Sequence, residues 1–71
     1  MEKLPLEHYM KSLGLQSGQF FRAAGVPPAL KRAIKQGHPI ALPHAEKIAA
    51  FISQEIGRTI SYQQISGIKI L

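Results

Sequence analysis

The sequence predicts an all-α fold, a small bundle of four to five short helices containing a helix-turn-helix. Three observations carry that expectation. Apolar residues recur at i, i+3 and i+4 along most of the chain. Glycine or proline punctuates each such stretch. Two helical stretches, spanning about 16–36, are separated only by a tight turn that contains glycine.

Each element follows in order. Leu6, Tyr9, Met10 and Leu13 sit at i, i+3, i+4 and i+7, one stripe of a first helix. Pro5 suits its first turn and Gly14 its stop. A second helix over 16–24 has Phe20, Phe21 and Ala24 as its apolar side. Ser17 is the expected N-cap and Gly25 the stop. Phe20 and Phe21 read as core residues, and only one of two adjacent rings is expected to face fully inward. Val26 and Pro27 must be extended or in a turn, because each precedes a proline. Pro28 can open a third helix, about 28–36, with Leu30, Ala33 and Ile34 inside and Ala29, Lys31, Arg32, Lys35 and Gln36 outside. Residues 38–42 form a connector with room for one extended rung. The longest helix, about 43–56, carries Ala45, Ile48, Ala49, Ile52 and Ile56 as its stripe, with Phe51 beside it and Gly57 as its cap. Thr59 or Ser61 can cap a short turn over 62–65, which Gly67 breaks. Ile68 to Leu71 form an apolar tail.

The chain has 71 residues, enough for one domain over 1–71. A domain this size buries only about 60% of the surface its unfolded chain exposes, which favours a partner or a staple. Cysteine is absent, so disulfides and Cys-based zinc sites are excluded. A hydrophobic fraction of 45% argues for a folded globule over a disordered segment. No apolar run approaches the ~18–20 residues of a membrane span, and the first residues do not read as a secretory signal. A cytoplasmic protein without a membrane role is therefore expected. His8, His38 and His44 lack metal-ligand spacing. No nucleophile–base–acid grouping, phosphate loop or paired carboxylate is visible. The expectation is a protein that is not an enzyme and takes no metal or cofactor.

The net charge of +5 favours an anionic partner. Its distribution says more than its size. No acidic residue lies between Glu7 and Glu46, while Lys11, Arg22, Lys31, Arg32 and Lys35 do. Three of these five cations fall within five residues, on the outer side of the third helix. A charge run is often only a solvated face. Here it adjoins the residues a helix-turn-helix requires. Small residues, Ala23 and Ala24, stand where two helices would cross. Gly25 tolerates the positive φ of a tight turn. Val26 can tuck beneath both helices, and Leu30, Ala33 and Ile34 can anchor the second.

The order of a first helix, Gly, a Gln-containing helix, Gly-Val, a basic helix and Gly resembles the small phage Cro repressors. The stretch Ala29-Leu30-Lys31-Arg32-Ala33-Ile34-Lys35-Gln36-Gly37 is similar to the Cro recognition helix, and Met1-Glu2-Lys3, Leu6, Tyr9 and Gly14 fit that comparison. The later part, from His38-Pro39-Ile40 through the 43–56 helix and Gly57 to the Thr59–Ser61 cap, looks more like the YdaS-type antitoxin and Cro-like regulators. Both belong to the lambda-repressor-like DNA-binding domains, and the resemblance covers about residues 4–66. Two departures stand out. Phe20 or Phe21 occupies a place where the family has a small residue, and the step from Gly25 to Leu30 is one residue shorter than the family's.

The resemblance implies a sequence-specific transcriptional regulator, a Cro-like repressor binding operator DNA as a dimer. Its recognition helix would offer Pro28, Ala29, Lys31, Arg32, Lys35 and Gln36 to the major groove. Gln16, Ser17, Gln19, Arg22 and His38 would meet the DNA backbone. The implied partners are double-stranded DNA and a second copy of the chain. The tail, with Tyr62 and Ile65, is either the dimer surface or a segment folded onto its own core. The alternative is an antitoxin-like regulator acting mainly through a protein partner, marked by an exposed apolar stripe on the C-terminal helix. A basic amphipathic membrane module is a weaker reading, because the cations cluster beside a turn.

Overall fold

Four helices and one very short pair of parallel strands make up the computed structural model, which describes residues 3–71. Met1 and Glu2, part of the stretch likened to Cro, lie outside the described residues. The elements are β1 (Leu4–Pro5), α1 (Leu6–Leu13), α2 (Ser17–Ala24), α3 (Leu30–Lys35), α4 (Leu42–Ile56), a single 3-10 turn (Tyr62–Gln64) and β2 (Ile65–Ser66). Among the described residues, no helix is long and apolar enough to cross a membrane.

The helices stop where glycine permits it. Gly14, Gly25 and Gly37 each follow a helix with φ between 70° and 78°. At each, the glycine N–H and the next N–H turn back onto carbonyls of the last turn, as in Gly25 to Arg22 at 3.1 Å and Val26 to Phe21 at 3.0 Å. Gly57 ends α4 the same way, its N–H donating to Ser53 at 3.0 Å.

Several starts differ from expectation. The N-cap of α2 is Gln16, and Ser17 is its first helical residue. The Gln19 Oε1 accepts from the Gln16 N–H at 3.2 Å, so a side chain one turn ahead satisfies the free donor. Pro5 lies in β1 and is the N-cap of α1, just outside the first turn. Helix α3 begins at Leu30, two residues after Pro28. Pro27 and Pro28 instead form a tight lead-in whose carbonyls accept from Leu30 and Lys31, each at 3.1 Å. For the final turn the cap is Ser61, whose Oγ accepts from the Gln63 N–H at 3.2 Å.

The core holds Leu6 and Tyr9 of α1, Phe20 and Phe21 of α2, Val26, Ile40, the α4 stripe Ala45, Ile48, Ala49 and Ile52, and then Ile60 and Ile65. Contrary to expectation, both Phe20 and Phe21 are 0% exposed. Helix α2 is packed on two sides. Phe20 meets Phe51 of α4 edge-on at 5.3 Å, while Phe21 faces α1 and α3 beside Leu6 and Ile34. Rings about 100° apart on one helix can then both be covered. The same geometry corrects the role given to Ala23. The inward arc lies between residues 20 and 21, so Ala24 falls near its middle and is half-buried. Ala23 falls about 110° away and is exposed.

The strands are the main departure from an all-α fold. Leu4 pairs with Ile65 and Pro5 with Ser66, in parallel. Ile40 and Ile70 form a further parallel bridge, the single rung that the connector had room for. Each ladder is at most two residues long and joins distant parts of the chain, so no alternating pattern announces it. The tail folds back. Ile65 is buried and Tyr62, Ile68 and Ile70 pack half-buried against the core, leaving Leu71 82% exposed.

Candidate nucleic-acid interface

The candidate surface is built on α3 and the start of α2. Helix α3 lies over α2 on a half-buried stripe of Leu30, Ala33 and Ile34, and none of its residues is fully buried. Its tie to α2 is the Gly25 turn, with Val26 buried beneath. At about 100° per residue, Arg32 and Lys35 lie nearest the outward direction of α3, opposite the Leu30, Ala33 and Ile34 stripe. Lys31 lies on one flank, a turn before Lys35, and Gln36 on the other, a turn after Arg32.

All six residues expected on the recognition helix, Pro28, Ala29, Lys31, Arg32, Lys35 and Gln36, are exposed. Pro28 and Ala29 belong to the lead-in turn, but they share a surface depression with Lys31 and Arg32. Ala29 already has helical dihedrals, φ −61° and ψ −20°. Among the described residues, Lys31, Arg32 and Lys35 make no ion pair. Exposed cations of this kind are open to an external anion.

Gln16 and Gln19 are exposed at the start of α2, while Ser17 is half-buried. Ser17 lines a small concavity of about 200 Å³ together with Lys11 and Lys31. This brings the beginnings of α2 and α3 to one place on the surface. Arg22 and His38 are exposed but lie elsewhere, Arg22 in the last turn of α2 and His38 beyond the end of α3. The His38 N–H donates to the Ala33 carbonyl at 2.8 Å, which holds the exit from α3.

Comparison with protein-family models, with curated proteins and with solved structures finds no match for this chain.

Packing brings two further cations to this surface that the sequence did not assign to it. Lys11, in the last turn of α1, lines the concavity with Ser17 and Lys31. Lys69 stands at the other end of α3, where a Cβ placed on Gly37 would lie 3.6 Å from its Nζ. The acid-free window already contained Lys11. Nothing local pointed to Lys69, because the Ile40–Ile70 bridge is what carries it there. Glu7 also lines the Lys11 concavity, a single carboxylate beside the basic surface. Among the described residues, no three His, Cys, Asp or Glu side chains gather as a metal site.

Proposed function

We propose that this chain is a helix-turn-helix DNA-binding regulator, a non-enzymatic cytoplasmic protein that binds operator duplex as a homodimer in the manner of Cro-like repressors. One observation carries the reading. A short helix, α3, rests on α2 through a Gly25–Val26 turn and holds Arg32, Gln36, Lys31 and Lys35 exposed, with no ion pair to them among the described residues. Arg32, close to the outward direction, and Gln36, one turn on, are assigned to base edges, where Arg suits guanine and Gln suits adenine. Lys31, Lys35, Lys11 and Lys69 are assigned to phosphates. Gln16, Ser17 and Gln19 meet the backbone on the α2 side.

Size supports the dimer. The protomer measures 28 Å in its longest direction, so two copies fit half-sites one helical turn, about 34–36 Å, apart. One copy alone would bury little of the surface that specific binding needs. The exposed side of α4 carries Glu46, Lys47, Gln54 and Glu55, with Leu42 as its one exposed large apolar residue. That polar face favours the DNA reading over an antitoxin acting mainly through a protein partner.

The deciding experiment is selection of binding sites from random duplex DNA by the full chain. Enrichment of a palindrome is expected. Recovery of no preferred sequence, with binding equally tight to any duplex, would reject a sequence-specific regulator.

A further inference from the structure

A cleft of about 330 Å³ runs between the start of α1, the inner flank of α3 and the Ser66–Gly67 turn. It lies at the small end of the range for small-molecule sites, about 300–1,000 Å³. Its floor is apolar, made by Leu6, Met10 and Ile34 with the fully covered Phe21 behind them. Two cations, Lys31 and Lys35, line one wall from successive turns of α3, and neither makes an ion pair among the described residues. Glu7 lines the rim as well, from the first turn of α1. Lysine stems extend such an apolar wall while their ammonium groups stay at the mouth. The lining is thus apolar below and cationic on one side above.

We propose that this cleft binds a small amphiphilic carboxylate, its chain on the Leu6–Met10–Ile34 floor and its carboxylate between Lys31 and Lys35. A neutral chain would gain only the floor, and a short anion only the rim. Because both lysines also belong to the surface assigned to DNA phosphates, an occupied cleft neutralises part of that surface and displaces duplex. This regulatory consequence rests on the DNA reading, whereas the binding itself does not.

The test uses the full, nitrogen-15-labelled chain with decanoate, decanol and acetate followed by amide shifts. Decanoate is expected to give saturable shifts confined to the cleft, with decanol about tenfold weaker and acetate inert. Lys35→Gln should weaken decanoate about tenfold, and Lys35→Arg should retain it. Glu7→Gln should tighten it, because a like charge leaves the rim. Each variant is melted first, and if Lys35→Gln does not fold, Glu7→Gln decides. Equal binding of decanol, shifts scattered over the surface, or a decanoate affinity indifferent to Glu7→Gln would each overturn the proposal. A second arm adds decanoate to the complex with a selected duplex, where release by decanoate but not decanol is expected. Decanoate binding without any duplex binding would uphold the cleft and remove the DNA reading. Duplex binding with no decanoate shifts in the free protein would remove the cleft and leave the DNA reading, and decanoate shifts without release of duplex would overturn the regulatory consequence.

Discussion

Ile40 and Ile70 are bridged in parallel: the Ile40 N–H donates to the Lys69 carbonyl at 2.8 Å, and the Leu71 N–H donates to the Ile40 carbonyl at 3.0 Å. Thirty positions apart, these two residues tie the tail to the exit of α3. The bridge gives the tail a structural role and sets Lys69 beside Gly37. Ile70→Ala should therefore lower stability by roughly 1–2 kcal/mol, less than a fully buried isoleucine would, because Ile70 is half-buried. A fall of several degrees in Tm checks this, and an unchanged Tm would show that the tail contributes nothing to the core.

Lys69 itself makes a separate prediction. Lys69→Ala should leave the melting curve in place and weaken duplex binding evenly across sequences. The salt slope should fall by about one, as for loss of a single phosphate contact. Titrations at several salt concentrations measure both quantities. A change in preferred sequence instead would move Lys69 from backbone contact to base reading.

Arg32 and Lys31 should separate by kind. Arg32→Ala is expected to cost about 1–3 kcal/mol on the best site and to relax preference at one base position. Lys31→Ala should act without regard to sequence. The double variant, compared with the parent in mobility shifts, shows whether α3 is the reading element at all. Unchanged affinity and salt slope in the double variant would remove that assignment.

Gly25 offers a clean test of the turn. Its φ is +77°, and a Cβ there would meet no heavy atom within 4 Å. Any loss in Gly25→Ala is therefore backbone strain and not a clash. Gly25→Val and Gly25→Ala should destabilise by roughly 1–2 kcal/mol, with Gly25→Asn less harmful because Asn tolerates the left-handed region. Equal melting of all four proteins would mean that the turn does not hold this conformation.

Ser53 is a hub that its place in the sequence does not advertise. Its Oγ accepts from the Ile60 N–H at 2.7 Å and donates its one hydrogen toward the Ala49 carbonyl at 2.8 Å or the Ile60 carbonyl at 3.1 Å. Ser53→Ala would leave the amide of a buried residue without a partner, at a cost of about 1–3 kcal/mol. Hydrogen exchange should then quicken at Ile60 more than in α2.

Local chemistry wrote most of the helical plan into the chain. A stripe such as Ala45, Ile48, Ala49 and Ile52 needs one buried side, and a glycine such as Gly25 or Gly57 provides the left-handed step that ends a helix. Those signals act within a few residues, so they are readable without knowing the neighbours. The outward, acid-free character of Lys31, Arg32 and Lys35 was legible for the same reason. What remained hidden depends on contacts between distant segments. Burial of both Phe20 and Phe21 required α2 to lie between α4 on one side and α1 with α3 on the other. Strands of two residues carry no periodic signal, and the Leu4–Ile65 and Ile40–Ile70 pairings exist only because the core brings them together. The prolines delayed α3 to Leu30 through a lead-in that propensity alone does not specify. Charge and periodicity were thus settled one residue at a time. The gathering of Lys11 with Ser17 and Lys31, and of Lys69 with Gly37, came from packing, because only a closed chain brings residues so far apart in sequence onto one surface.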